Sequence, residues 1–85
     1  MTRLWPAGEL VRVKGPERTP SEFSWRGTRH PNKTVLNRWR LHTRWWEPGQ
    51  AVWREYLKIE TETGLLCLLY CDLIEEVWFL ARIYD

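Results

Sequence analysis

Residues 53–71, WREYLKIETETGLLCLLYC, decide the fold that the sequence predicts. In the first half of this stretch apolar and charged side chains alternate, as in a strand with one buried face. The alternating residues are Trp53, Leu57 and Ile59 on one side and Arg54, Lys58 and Glu60 on the other. Residues 62–64, Glu-Thr-Gly, then place a glycine at the left-handed position of a short hairpin loop. The stretch predicts two antiparallel strands, with a bulge at Glu55 and Tyr56, where the alternation breaks.

The same period of two recurs on the N-terminal side of this hairpin. Apolar and polar side chains alternate around Val11 and Val13, around Phe23 and Trp25, and along 35–42, where Val35, Trp39 and Leu41 alternate with Arg38, Arg40 and His42. Turn-forming residues separate these segments, and Pro48-Gly49 has the order of a type II turn. Short alternating segments between regular turns predict an all-β fold: a five- or six-stranded antiparallel sheet, strongly curled into a small barrel.

The C-terminal segments 65–70 and 77–84 are apolar on both faces. Two strands joined by a turn at Glu75-Glu76 are the favoured interpretation, because strands covered on both sides have this composition. The alternative is a helix that Asp72 caps, with an apolar stripe through Leu73, Val77, Leu80 and Ile83.

The length of 85 residues predicts a single domain, 1–85, with a thin core that large side chains must fill. Seven of the residues are tryptophan. The alternation assigns Trp25, Trp39, Trp53 and Trp78 to the core and leaves Trp5 undetermined. Trp45 and Trp46 are adjacent and cannot share one face of a strand, so one of the two is expected to be more exposed.

Charge is unevenly distributed about the net value of +2. Residues 1–46 hold ten Lys or Arg against three acids, and residues 47–85 hold three against eight. This asymmetry is typical of a chain with a polyanionic or acidic partner, or of two halves that neutralise each other across a sheet.

The two cysteines, Cys67 and Cys71, are four residues apart on a predicted strand, about 13 Å, which is too far for a disulfide. Two buried thiols, with no secretory h-region and no apolar run of membrane-spanning length, predict a cytoplasmic protein with no membrane partner. The spacing of the cysteines is a poor zinc signature, and we expect no metal and no cofactor.

Six stretches carry a recognisable pattern: FSWRG at 23–27, VLNRWR at 35–40, Trp45-Trp46, WREY at 53–56, LLCLLYCDL at 65–73 and WFLARIYD at 78–85. Together they resemble one family, a small bacterial domain of unknown function. A similar pattern closes the C-terminus of catalytically degenerate Y-family DNA polymerase relatives that act in translesion synthesis. The resemblance covers about residues 20–85, although Glu75-Glu76 stands where relatives often place glycine. It implies a DNA-repair or replication context and brings no known activity.

The motifs of nucleophilic, phosphate-binding and zinc enzymes are missing from the sequence, so we expect no enzymatic activity. The best candidate site is the basic and aromatic run between Arg38 and Arg54. Its residues are Arg38, Arg40, Arg44, Trp45, Trp46 and Arg54.

Three hypotheses fit this run. An exposed tryptophan beside arginines stacks on the bases of single-stranded DNA, or it anchors a protein partner, which the resemblance implies is polymerase-related. Alternatively, the tryptophans close the open end of the barrel beneath the arginines. A further alternative, from another class, is a homodimer that pairs through the apolar residues 65–84 and has no role with nucleic acid.

Overall fold

Six antiparallel strands close into a barrel in the computed structural model, which describes residues 3–15, 19–43 and 52–84, with side chains from residue 8 onward. Each strand pairs with the next along the chain, and the sixth returns to pair with the first. The prediction of an all-β, strongly curled antiparallel barrel is confirmed. The strands are β1 Arg3–Lys14, β2 Glu22–Trp25, β3 Thr28–Thr43, β4 Val52–Thr61, β5 Leu66–Asp72 and β6 Val77–Tyr84.

The core lies between β4, β5 and β6, with contributions from β1 and β2. Leu57, Ile59 and Leu69 are fully buried there. The predicted hairpin between β4 and β5 is confirmed, with Gly64 in the left-handed region at φ 91°. The remaining members of the core cluster are Val11, Phe23, Cys67, Trp78, Leu80 and Ile83.

The segments 65–70 and 77–84 form the β5–β6 strand pair, so the helical alternative is wrong. Asp72 nonetheless caps a single helical turn between the two strands. Its Oδ1 accepts the N–H groups of Ile74 and Glu75, and its carbonyl accepts the N–H of Glu76 at 2.7 Å. Glu76 then adopts a left-handed φ of 59°, which ends the helical turn after one bond and returns the chain into β6.

In the pairing of β3 with β4, the bulges lie on β3 and not on β4. Residue 36 has no partner on β4, because Val35 pairs with Ile59 while Asn37 pairs with Lys58. The pairing of β4 with β5 runs without a break through residues 54–60, so the predicted bulge at 55–56 is wrong.

The bulge at Leu36 reverses which side of β3 faces the core, because one extra residue flips every later side chain to the other face. Arg38 registers with the buried Leu57 and therefore points inward. Trp39 and Leu41 point outward and are 40% and 38% exposed, so their assignment to the core is wrong.

Of the other tryptophans assigned to the core, two lie in or against it and one does not. Trp78 is buried, and Trp25 is half-buried against the core, as predicted. Trp53 is 41% exposed, so its assignment to the core is wrong. It lies on the inward side of β4, as Leu57 does, but near the end of β4 that pairs with the end of β3, beyond the buried residues. The side chain of Trp5 lies outside the described part.

The described residues contain no helix of the length and apolarity needed to cross a membrane.

Candidate functional site

The structure divides the predicted site residues between the two faces of the β3–β4 hairpin. Arg38 and Arg40 point to the inward side, where β3 extends past the core, and Arg54 points to the outward side. Residues 44–46, the predicted Arg44, Trp45 and Trp46, lie outside the described residues. The structure therefore brings Arg38 and Arg40 together and separates Arg54 from them.

A buried carboxylate holds the two inward arginines. Glu55 is only 4% exposed, and its Oε1 and Oε2 lie 3.2 Å from Arg38 Nη1 and 3.5 Å from Arg40 Nη2. Arg38 also donates from Nη2 to Thr19 Oγ1 at 2.5 Å, which ties the loop after β1 to this end of the barrel. Two guanidinium groups share one carboxylate, so this cluster keeps an excess positive charge beside the solvent.

On the outward side, four aromatic rings from four neighbouring strands form a continuous row. Trp39 stacks on Tyr56 with 5.3 Å between ring centroids and 5° between ring planes. Tyr56 packs on Tyr70 at 5.4 Å, and Tyr70 on Phe79 at 5.0 Å. We call these four residues the aromatic row; its exposed end is Trp39 on β3, while Tyr70 is buried within it.

Arg54 covers the middle of the aromatic row. Its guanidinium carbon lies 4.4 Å from the centroid of the Tyr70 ring, and its Nη1 donates to Tyr56 Oη at 3.3 Å. That hydrogen bond is the main reason why the pKa of Arg54 is raised. Burial raises the pKa of Tyr70, and the positive charge of Arg54 opposes that rise. Arg54 thus stabilises the packing of the two tyrosines.

Gly8 allows β1 to approach the far end of the aromatic row. A Cβ at this position would lie 2.8 Å from Phe79 Cβ and 2.9 Å from the Tyr70 ring, and its φ is 76°. Both the contact and the left-handed backbone therefore require glycine here.

A second stack lies at the tip of the hairpin on the inward side. His42 packs on Trp53 with centroids 5.1 Å apart. The turn between β5 and β6 lies close to this stack, because Leu73 donates its N–H to the carbonyl of Trp53 at 2.9 Å. The next residue in that turn, Ile74, is exposed. This end of the barrel therefore combines exposed aromatic and apolar groups with the arginines bound to Glu55.

Away from the hairpin, Glu9 joins β1 to the turn between β2 and β3. Its Oε2 accepts the indole N–H of Trp25 at 2.9 Å, and Arg26 contacts its Oε1 at 3.2 Å. The hydrogen bond from Trp25, followed by the one from Arg26, lowers the pKa of Glu9. These contacts link β1 to the end of β2 and the turn that follows it.

Cys67 and Cys71 lie on the inward side of β5, and burial raises the pKa of the Cys71 thiol. Within 3–15, 19–43 and 52–84 no group of three His, Cys, Asp or Glu side chains is placed to hold a metal ion.

The sequence interpretation missed two parts of this surface. Glu55 shares the inward side of β4 with Trp53, Leu57 and Ile59. The alternation along β3 predicts Arg38 and Arg40 on the outward side, so it does not predict their contact with Glu55. The outward exposure of Trp39 had no signal in the sequence, because it depends on the bulge at Leu36.

Comparisons with known proteins place this architecture in one family. The search of curated proteins gives no match, and the search of solved structures gives none either. A family model described as a domain of unknown function, DUF6504, matches residues 5–85. Because the match spans nearly the whole chain, the protein belongs to the DUF6504 family.

Proposed function

We propose that this chain is a non-enzymatic interaction module that binds a partner protein through the outward side of the β3–β4 hairpin. The observation that supports this most is the exposure of Trp39 at the end of the aromatic row. Tryptophan, tyrosine and arginine are the residues that dominate binding energy at protein interfaces, and Trp39, Tyr56 and Arg54 are adjacent here.

The aromatic row is also held in place before any partner arrives. Tyr56 fixes one face of the Trp39 ring, and Arg54 fixes Tyr56 through its hydroxyl. Side chains that are already ordered lose little conformational entropy on binding. Leu41, exposed beside Trp39 and Arg54, adds apolar area to the same surface.

The context of this module is proposed from its resemblance to the C-terminal region of Y-family polymerase relatives. On that basis the partner is a polymerase-related protein, and the process is translesion synthesis or another form of DNA repair. The cytoplasmic location and the absence of a catalytic role belong to the same proposal.

A binding titration with a Y-family polymerase relative from the same cell tests this proposal. Trp39→Ala should weaken binding by at least about thirtyfold, the cost of losing an interface hot spot of ~2 kcal/mol. Ile74→Ala is the control, because it removes an apolar side chain that is 56% exposed, against 40% for Trp39, and lies at the β5–β6 turn away from the aromatic row. Equal affinities for the Trp39 and Ile74 variants would contradict the proposed surface.

Single-stranded DNA is a second candidate because Lys58 and Arg54 place two cations beside the aromatic row. The geometry favours it less. The rings stack on one another, so each contact within the aromatic row occupies ring surface that a base would need. Titration of an oligonucleotide while following tryptophan fluorescence tests it: affinity must fall steeply with salt if phosphates are bound. Absence of binding at the lowest salt rejects this candidate.

Homodimerisation through residues 65–84 is the alternative proposal. Leu10 on β1 is 64% exposed and registers with Phe79, so an apolar surface extends outward from the β5–β6 hairpin. Against it, Lys58 and Arg82 already cover Tyr84, at 4.9 and 5.4 Å from its ring centroid. Light scattering at high protein concentration decides, since a monomer mass excludes the dimer.

A further inference from the structure

The last part of β3 has one edge that no described strand covers. β2 pairs with β3 only over Thr28–Pro31, and the N–H of Asn32 is bonded to the carbonyl of Ser21. The contact from Thr19 reaches Arg38. Beyond that residue, the described part of the chain offers no pairing partner on this side of residues 39–43, while the other side pairs with β4.

The main-chain groups on that edge can be assigned from one hydrogen bond. The N–H of Arg38 is bonded to Asn37 Oδ1 at 2.8 Å and so does not point towards β4. Main-chain groups alternate in direction along an antiparallel strand. The N–H and C=O groups of Arg40 and His42 therefore point to the uncovered edge, which we call the free edge of β3.

The side chains next to the free edge differ in chemistry on the two faces of the strand. Trp39 and Leu41 are apolar and lie on the outward face. Arg40 and His42 lie on the inward face, where Arg40 has 46% of its side chain exposed and shares Glu55 with Arg38. A strand added at this edge would present every second side chain to each face.

We propose that the free edge of β3 binds an extended segment of the partner protein in which acidic and apolar residues alternate. The segment adds a strand to the barrel through the main-chain groups of Arg40 and His42. Its acidic side chains face Arg40, and its apolar side chains face Trp39 and Leu41. This inference rests on the proposed function and specifies the chemistry of the partner. Binding by strand addition takes affinity from main-chain hydrogen bonds and specificity from the alternating side chains.

The first test uses a nine-residue peptide of alternating glutamate and valine and the full-length chain labelled with ¹⁵N. We expect the amide groups of Arg40 and His42 to become protected from hydrogen exchange when the peptide is added. A peptide with lysine in place of glutamate should bind at least about tenfold more weakly, because like charges would then meet. Unchanged exchange at both amides, or equal affinity for the two peptides, overturns the proposal.

Variants test the two sources of affinity separately. His42→Pro removes one main-chain donor from the free edge and should abolish peptide binding, because a proline at this position keeps the pairing with β4. Arg40→Gln should weaken binding about two- to fivefold, as expected for one exposed ion pair. Arg29→Gln carries the same charge change on the β2-paired part of β3 and should bind normally. If His42→Pro does not fold, Arg40→Gln and the lysine peptide still decide.

Two further outcomes separate this inference from the proposed function. A chain that binds the polymerase relative through Trp39 but is insensitive to Arg40→Gln and His42→Pro retains the proposed function and contradicts strand addition. A dimer in which the amides of Arg40 and His42 are protected without peptide identifies a second copy as the occupant, which also overturns the proposal.

Discussion

Glu55 fixes the orientation of β3, and its neutralisation is the most informative perturbation of the fold. Glu55→Gln keeps the shape of the side chain and removes the charge that holds Arg38 and Arg40 inward. Because faces alternate along a strand, the inward position of these arginines goes with the outward position of Trp39 and Leu41.

The expected loss of stability follows from the exposure of the groups involved. The carboxylate is buried, but the side chains of Arg38 and Arg40 are 34% and 46% exposed. Each contact should therefore contribute about 1 kcal/mol, between the values for fully exposed and fully buried ion pairs. Losing both costs ~2 kcal/mol, which lowers Tm by roughly 8–16 °C in a domain of this size.

Urea unfolding followed by tryptophan fluorescence measures this loss. Glu62→Gln, in the exposed β4–β5 loop, removes the same charge and should change the free energy of unfolding by less than about 0.5 kcal/mol. A double-mutant cycle of Glu55→Gln with Arg40→Gln should show a coupling of at least ~0.5 kcal/mol. Equal stabilities of the Glu55 and Glu62 variants, or strict additivity in the cycle, would show that Glu55 does not hold the two arginines.

Three other predictions concern the aromatic residues, β1 and acid stability. Trp78→Ala should cost ~3–5 kcal/mol, as for a core aromatic, while Trp39→Ala should cost ~1–2 kcal/mol, mainly its stacking; the difference in urea midpoints measures this. Gly8→Ala should cost ~2–4 kcal/mol from left-handed strain and overpacking, and a change below ~1 kcal/mol would contradict the contact. The pKa of Glu9 is lowered in the folded protein, so its contribution to stability is complete above the carboxyl pKa of the unfolded chain and is lost as pH falls through the pKa of the folded state. Glu9→Gln should therefore make Tm depend less on pH in the acidic range. Parallel profiles of Tm against pH for the variant and the parent chain would contradict this prediction.

The alternation of apolar and charged residues was sufficient to predict the strands and the curled barrel. Residues 53–60 and 65–71 have the pattern of a hairpin that the structure confirms as β4 and β5. These assignments succeed because each depends on local periodicity and on a turn residue such as Gly64.

The face on which each tryptophan lies could not be predicted, because it depends on a single unpaired residue. Leu36 differs in no visible way from a strand residue, yet its bulge reverses the orientation of everything up to Thr43. Trp53 lies at the end of the hairpin, beyond the core, so its side chain is exposed although it is on the inward side of β4. Glu55 breaks the apolar pattern because it pairs with arginines from the neighbouring strand, which is a tertiary contact.

The proposed function requires Trp39 to be the outward anchor for a partner protein. The most direct test follows the indole N–H signals of the ¹⁵N-labelled chain while a Y-family polymerase relative from the same cell is added. We expect the Trp39 signal to shift or broaden early in the titration, while the signal of the buried Trp78 keeps its position. An unchanged Trp39 signal in a chain that demonstrably binds the polymerase relative would contradict the proposed function.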